Sequence, residues 1–283
     1  MRRNADAGAD GDDDAATDER NTGGHAAGED GDAGEDRDTG RDDAGGEGDG
    51  PACEDRDGDD RAGTVERTPG GGRTPEARPI EPSAPEEFGL IQVWWGDGKG
   101  KTTAALGMGF RAAGHGFRVH MLQFMKGGAS SVEDVRGEYN AVDALPGFSY
   151  ENAGHYGWHG RLDETDEDAH EMEARAGFER AERLVAAASE ADLTAPIPLD
   201  APADEGVHML ILDEVVYAAN RGLVAVDDLL ALVRDAPADL ELVLTGGHEE
   251  PDYLADVADL ITRVEKEKHP MDAGQGARKG TEY

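Results

Sequence analysis

Gly89-Leu90-Ile91-Gln92-Val93-Trp94-Trp95 runs directly into Gly96-Asp97-Gly98-Lys99-Gly100-Lys101-Thr102-Thr103, and then into Ala104-Ala105-Leu106-Gly107. An apolar run of strand length, a glycine-rich turn and a helix-like stretch, in that order, decide the fold. Glycines let successive backbone N–H groups turn inward around phosphate oxygens, and the helix that opens there adds its dipole. Lys101 would place a point charge against a polyphosphate, and Thr102 would offer its hydroxyl to Mg²⁺. The stretch departs from G-x-x-x-x-G-K-[ST] in one respect: Trp95 stands at the first glycine position, with Gly96 beside it. The plainer alternative is a glycine-rich strand-to-helix turn with no ligand.

Outward from this loop, strand and helix patterns alternate. Thr102–Ala113 reads as a helix closed by Gly114, and Arg118–Phe124 as a second strand. Ser131–Leu145 looks helical and Phe148–Glu151 is a short third strand. Thr165–Ala188 carries Ala169, Met172, Ala176, Ala181, Leu184, Val185 and Ala188 at helical spacing. Residues 190–206, rich in Pro and Asp, look like a surface insertion. Val207–Leu212 is a buried strand ending in Asp213-Glu214. A helix over Val226–Arg234 leads to the strand Leu240–Thr245, and a helix over Pro251–Asp259 to the strand Leu260–Val264. Such alternation implies parallel βαβ units, hence a P-loop NTPase-like three-layer α/β domain with a mainly parallel sheet. Ligands of such sheets sit at the carboxyl ends of the strands, where the glycine loop, Asp213-Glu214 and Thr245-Gly246 all fall.

Composition sets the boundary. Residues 1–88 contain 27 Asp and Glu and 10 Arg, no Lys and almost no large apolar side chain. Such a segment cannot bury enough apolar surface to offset its ordering entropy, so residues 1–88 read as a disordered acidic extension and 89–283 as one folded domain. The formal net charge is −36, and the folded part is itself strongly acidic. A field of that sign repels phosphate backbones and argues against nucleic-acid binding. Excess Asp and Glu with scarce Lys is the composition of a halophilic cytoplasm, where salt screens charge to about 3 Å at 1 M. The six lysines are Lys99, Lys101, Lys126, Lys266, Lys268 and Lys279, clustered at the loop and near the C-terminus, as for cations retained for a polyphosphate. The single cysteine, Cys53, lies in the acidic stretch and excludes an intrachain disulfide. No signal-peptide pattern and no apolar run of membrane-spanning length is present, so the expected location is the cytoplasm, away from membranes.

Three further groups bear on chemistry. A carboxylate at Asp213-Glu214 suits Mg²⁺ or Mn²⁺, hard cations that prefer oxygen ligands. Arg111 shares a helix face with Thr103 and Gly107, placing it as a nucleotide contact or a solvated cation. Tyr156 and Trp158 stand in a loop with Gly154, Gly157 and Gly160 and suit a large flat ligand, or pack the loop itself. His155 and His159 have i,i+4 spacing, but the glycine between them argues against a helical metal pair.

Together these pieces resemble the P-loop-type ATP:corrinoid adenosyltransferases, over roughly residues 89–283. The resemblance is carried by Gly96 to Ala105, Arg111-Ala112-Ala113-Gly114-His115-Gly116, and Gln123-Phe124-Met125-Lys126-Gly127. It continues in Leu212-Asp213-Glu214, Leu244-Thr245-Gly246, Lys268-His269-Pro270 and the ending Ala277-Arg278-Lys279-Gly280-Thr281-Glu282-Tyr283. The absent first glycine is usual in that family. Two departures are Gly247, where the family commonly has Arg, and Tyr156-Gly157-Trp158, where it usually has Phe-x-Trp.

The resemblance implies transfer of the 5′-deoxyadenosyl group of ATP to Co(I) of a reduced corrinoid, with release of triphosphate. It implies an ATP site at Gly96, Asp97, Gly98, Lys99, Gly100, Lys101, Thr102, Thr103 and Arg111, and a metal site at Thr102, Asp213 and Glu214. It places Lys101 at the departing triphosphate and Tyr156 and Trp158 at the corrin face. It further implies a homodimer and an electron-donating reductase as partners. Because Co(I) is the nucleophile, the protein positions reactants and stabilises charge, which suits a chain without a recognisable base–nucleophile pair. The alternative is a phosphoryl-transferring ATPase or kinase, for which Glu214 is the available base.

Overall fold

The computed structural model describes residues 75–125, 137–153, 167–276 and 278–281. Six strands form one sheet: β1 (Ile91–Trp95), β2 (Val119–Phe124), β3 (Phe148–Ala153), β4 (Met209–Asp213), β5 (Glu241–Thr245) and β6 (Leu260–Arg263). Their order is β3-β2-β4-β5-β1-β6, and every neighbouring pair is parallel. The helices are α1 (Lys101–Gly114), α2 (Gly137–Asp143), α3 (Glu167–Glu190), α4 (Val215–Asn220) and α5 (Val226–Asp235).

Parallel strands buried on both faces need a helix layer on each side. The buried side chains accordingly fall into two clusters. Val119, Met121, Ile211 and Val243 pack with Ala105, Ala112 and Ala113 of α1 on one face. Leu122, Phe124, Leu210, Leu212, Leu242 and Leu244 pack with Leu184 of α3, Val216 of α4 and Leu229 of α5 on the other. Three layers result, as the strand–helix alternation predicts. On the amino side of β1, the Ser83 amide donates to the Gly116 carbonyl at 2.9 Å, and Phe88 meets Phe117 edge-on at 5.2 Å between ring centroids.

Four local expectations differ from the structure. Gly114 remains within α1, and the left-handed residue beyond the helix end is Gly116, at φ 84. On α3, Met172 and Ala176 face solvent, whereas Ala174, Gly177 and Phe178 share the buried stripe with Ala181, Leu184, Val185 and Ala188. The helix expected over 251–259 reduces to a 3-10 turn at Asp252–Leu254. Leu254 is fully buried, so packing of that turn outweighs the helical propensity around it.

The segment 190–206 is no surface insertion. Leu193, Ile197, Ala201 and Ala203 are buried in the α3-side core. The buried Arg118 donates to the Ala201 carbonyl at 2.9 Å through Nε, and His208 Nε2 meets the Ala195 carbonyl at 3.0 Å. Its Pro and Asp content shapes turns around apolar anchors spaced two to four residues apart.

Candidate active site

Alternate residues of a strand face the same side, and that period places the polar site residues. On β4, Met209 and Ile211 point into the α1-side core, and Asp213 is the next position of that series. On β5 the same parity takes Val243 to Thr245, and on β2 it takes Met121 to Gln123. Three polar side chains therefore emerge at the carboxyl ends of adjoining strands, on the face that α1 covers. All three are fully buried at 0% exposure, so their polar atoms need protein partners.

Those partners converge on Asp213. The Thr102 hydroxyl, from the first turn of α1, donates to Asp213 Oδ1 at 3.0 Å. The Thr245 hydroxyl donates to the same oxygen at 2.5 Å, and Gln123 Nε2 donates to Oδ2 at 2.5 Å. Gln123 in turn accepts from the Tyr150 hydroxyl. Burial, with Tyr139 beside it, pushes the Tyr150 phenol above its ordinary value and keeps it a proton donor. Glu214 takes a left-handed conformation at φ 63, and its amide donates to Thr245 Oγ1 at 3.1 Å. A Cβ at Gly246 would come within 2.8 Å of Glu214 Oε2 and 2.9 Å of the Tyr217 amide nitrogen. Glycine is what lets the Thr245-Gly246 turn approach that carboxylate.

The glycine loop closes around its own lysine. Lys101 is buried, and its Nζ donates to the carbonyls of Gly96 at 2.7 Å and Gly98 at 3.0 Å. Gly100, at φ 110, precedes α1 and supplies no side-chain cap to the helix N-terminus. The outer wall comes from the chain just past β6. The Gly98 amide donates to the Val264 carbonyl at 2.8 Å, and the Lys266 amide donates to Asp97 Oδ1 at 3.0 Å. A Cβ at Gly96 would lie 2.2 Å from the Val264 carbonyl oxygen, so the corner needs glycine there. Trp95, at the first glycine position of the loop pattern, is a core residue with the Arg263 guanidinium 5.0 Å above its ring.

Thr102 and Asp213 are thus brought together, and Lys101, the residue before Thr102, is held in the loop by the Gly96 and Gly98 carbonyls. Glu214 lies beside them at the Thr245 turn. Asp97 faces the backbone of residue 266, while Lys99 and Thr103 are exposed at the loop mouth. Arg111 is exposed in the last turn of α1, ten residues from Lys101 and so about 15 Å along the helix axis. Tyr156, Trp158 and Lys126 lie outside the described residues. The sequence places Thr245 at the ligand-binding ends of the strands and Gln123 in one of the family motifs, but gives neither a contact and does not single out Tyr150. A glutamine in the otherwise apolar run Met121-Leu122-Gln123-Phe124 was the available signal.

The donor set suits a hard divalent cation bound together with a polyphosphate. The Thr102 hydroxyl and the Asp213 carboxylate are oxygen donors side by side at a helix N-terminus, where phosphate oxygens and water would complete the shell of such a cation. Among the described residues there is no group of three or more His, Cys, Asp or Glu side chains able to hold a metal by themselves. No described helix is long and apolar enough to cross a membrane.

Comparison with known proteins agrees with this geometry. Residues 87–283 match the family model described as ATP:corrinoid adenosyltransferase BtuR/CobO/CobP. The chain is 31% identical over 201 residues to the corrinoid adenosyltransferase of Pseudomonas aeruginosa, covering 71% of this chain and 86% of that one. It is 30% identical over 200 residues to the corrinoid adenosyltransferase of Escherichia coli K12, covering 71% and 88%. Identity to the corrinoid adenosyltransferase CobA of Salmonella typhimurium is 30% over 204 residues, with the same coverage. A parallel sheet with a lysine-filled glycine loop, and a family match spanning that whole sheet, place this chain in the ATP:corrinoid adenosyltransferase family.

Proposed function

We propose that the chain transfers the 5′-deoxyadenosyl group of ATP to Co(I) of a reduced corrinoid and releases triphosphate. The observation that carries the reading is the junction of Lys101, Thr102 and Asp213 at the N-terminus of α1. In the reaction the Co(I) electron pair attacks C5′ and a Co–C bond forms. The C5′–O bond breaks, and triphosphate departs with that bonding pair. Charge therefore develops on the bridging oxygen and the polyphosphate, where the loop amides, the helix N-terminus and Lys101 all act. Lys101 exchanges its carbonyl partners for phosphate oxygens when the nucleotide enters. Thr102 and Asp213 hold Mg²⁺ or Mn²⁺, with Glu214 as the adjoining carboxylate, and the bound cation supplies charge neutralisation to the leaving group.

The remaining roles rest on the family resemblance and the sequence. Tyr156 and Trp158 cover the cobalt face, keeping water and the lower axial ligand away so that Co(II) reduces more readily. Lys99, Thr103 and Arg111 complete the nucleotide contacts at the mouth and flank of α1. Residues 75–88 belong to the folded unit through Ser83 and Phe88, the acidic composition of the chain before them suits a halophilic cytoplasm, and the domain works as a homodimer served by an electron-donating reductase.

The test is anaerobic incubation of the full chain with ATP, Mg²⁺ and chemically reduced cobalamin at multimolar KCl. The expected result is a light-sensitive adenosylated product formed in step with triphosphate. ADP or inorganic phosphate with no change in the corrinoid spectrum would instead identify a phosphoryl-transferring enzyme and overturn the reading.

A further inference from the structure

A fully buried glutamine inside a strand is costly unless both ends of its amide are bonded. Gln123 meets that condition in one sense only. Its Nε2 faces Asp213 Oδ2 at 2.5 Å, and its Oε1 accepts from the Tyr150 hydroxyl. Were the amide turned over, Oε1 would face the carboxylate oxygen with no proton between two acceptors. Asp213, an acceptor only, selects the sense that presents Nε2 to it, and the Tyr150 hydroxyl proton completes that sense by bonding Oε1.

Tyr150 is itself held on the next strand. Tyr139 of α2 packs against it with ring centroids 4.9 Å apart and shares a side-chain hydrogen bond, and Asn152 Nδ2 donates to the Tyr139 hydroxyl at 3.0 Å. At the other end, Gln123 and Thr245 donate to different oxygens of Asp213 from the two strands flanking β4. Two donors on two oxygens fix the plane of a carboxylate. Thr102, on the loop helix, can turn its hydroxyl to a cation while that plane is kept.

We infer that Gln123 and Tyr150 are positioning residues, a relay from β3 through β2 that sets the carboxylate plane of Asp213 for the nucleotide-bound cation. The inference rests on the proposed reading of Asp213 as a group that holds that cation. Outer partners of this kind typically govern affinity by about 10–100-fold. The relay acts on the cation-dependent part of nucleotide binding. The phosphate contacts of the loop amides and Lys101 do not pass through it.

The experiment is titration of the full chain with ATP, with and without Mn²⁺, following nucleotide affinity by calorimetry and bound Mn²⁺ by its paramagnetic resonance signal. Asp213→Asn, Gln123→Met and Tyr150→Phe are compared with the native chain. Gln123→Met is expected to lower the Mn²⁺-dependent gain in affinity by about tenfold, and Tyr150→Phe by several-fold. Metal-free ATP affinity stays at the native value in both. If Asp213→Asn loses the gain while Gln123→Met and Tyr150→Phe keep it, the relay is wrong and the metal reading stands. If Asp213→Asn keeps the gain, the metal reading falls and takes the relay with it. Equal losses with and without Mn²⁺ in the relay variants reduce them to fold support and overturn the inference. Should Gln123→Met fail to fold, Tyr150→Phe removes a single half-buried oxygen and decides the matter alone.

Discussion

The Thr102 hydroxyl and the Asp213 carboxylate meet at 3.0 Å, joining the first turn of α1 to the end of β4 across 111 residues of sequence. That contact couples the phosphate loop to the sheet. Asp213→Asn keeps the shape but removes the charge and sets an amide against three donors. Turnover is expected to fall at least about tenfold. Leaving buried donors without an acceptor should also cost about 1–3 kcal/mol in urea unfolding. Native turnover in Asp213→Asn would remove this residue from the site.

Lys101 fills the loop through the Gly96 and Gly98 carbonyls. Lys101→Ala empties that centre and removes the cation that meets the polyphosphate. Turnover should drop by about 100-fold or more, on the scale of a lost charge-stabilising donor. Lys101→Arg should recover little, because a planar guanidinium does not replace a compact ammonium inside the loop. Single-turnover measurement with pre-reduced cobalamin checks both, and full recovery by arginine would contradict the packing argument.

Asp97 accepts the Lys266 amide at 3.0 Å and so ties the chain beyond β6 to the loop. Asp97→Ala should loosen that wall. The expected result is a several-fold rise in KM for ATP, faster amide exchange at residues 264–266 and a smaller change in kcat. Asp97→Asn retains an acceptor oxygen and should stay near native. If Asn and Ala behave alike, the wall is not what Asp97 contributes.

Trp158 lies outside the described residues, and its role rests on the family resemblance. Trp158→Ala should impair reaction starting from Co(II)alamin far more than reaction from pre-reduced Co(I). Comparing the two assays decides the point, since a role in excluding the axial ligand matters before reduction. Equal losses would contradict it.

His120 is 1% exposed on β2, and its pKa is pushed down to about 4, chiefly by burial. Arg118 and Arg180 add to that shift, and Glu151 and Asp204 oppose it. Its Nδ1 lies 2.8 Å from Ser149 Oγ, and its Nε2 lies 3.8 Å from Glu151 Oε1. An unfolded histidine takes its proton near 6.5, so the native state is penalised increasingly as pH falls from there to about 4. The full loss is about 3 kcal/mol, at roughly 1.4 kcal/mol per pKa unit. Glu151, lowered chiefly by its bond to Arg180, loses stability in the same direction as pH falls. Urea unfolding between pH 7 and pH 4 should show a steep decline that His120→Gln makes shallower. An unchanged slope would show that His120 does not drive it.

Much of this was legible in the chain because strand alternation and loop chemistry are local. The run Ile91–Trp95 before a glycine loop and Met209–Leu212 before Asp213 read directly as buried strands ending at a site. The wall of the cradle was not legible, because the Val264 and Lys266 contacts join residues more than 160 positions from the loop. The roles of Gln123 and Tyr150 were hidden for the same reason: they depend on which strands become neighbours. The segment 190–206 misled because its Pro and Asp content describes its turns, while Leu193 and Ile197 describe its burial. The short helix α4 escaped notice because only six residues form it, after a left-handed Glu214.

The strand order also dictates when the enzyme can assemble during synthesis. Of the described strands β1 is the first to be made, and its two neighbours, β5 and β6, are the last. Until Glu241–Thr245 and Leu260–Arg263 emerge, Ile91–Trp95 has no sheet partner. Such distant pairing slows folding and leaves an apolar strand open to wrong associations. The nascent chain therefore carries its phosphate loop half-walled until residues 241–266 have been made, and competence for nucleotide comes with them. A stop or a frameshift between β5 and β6 would spare most of the described fold and still abolish the cradle.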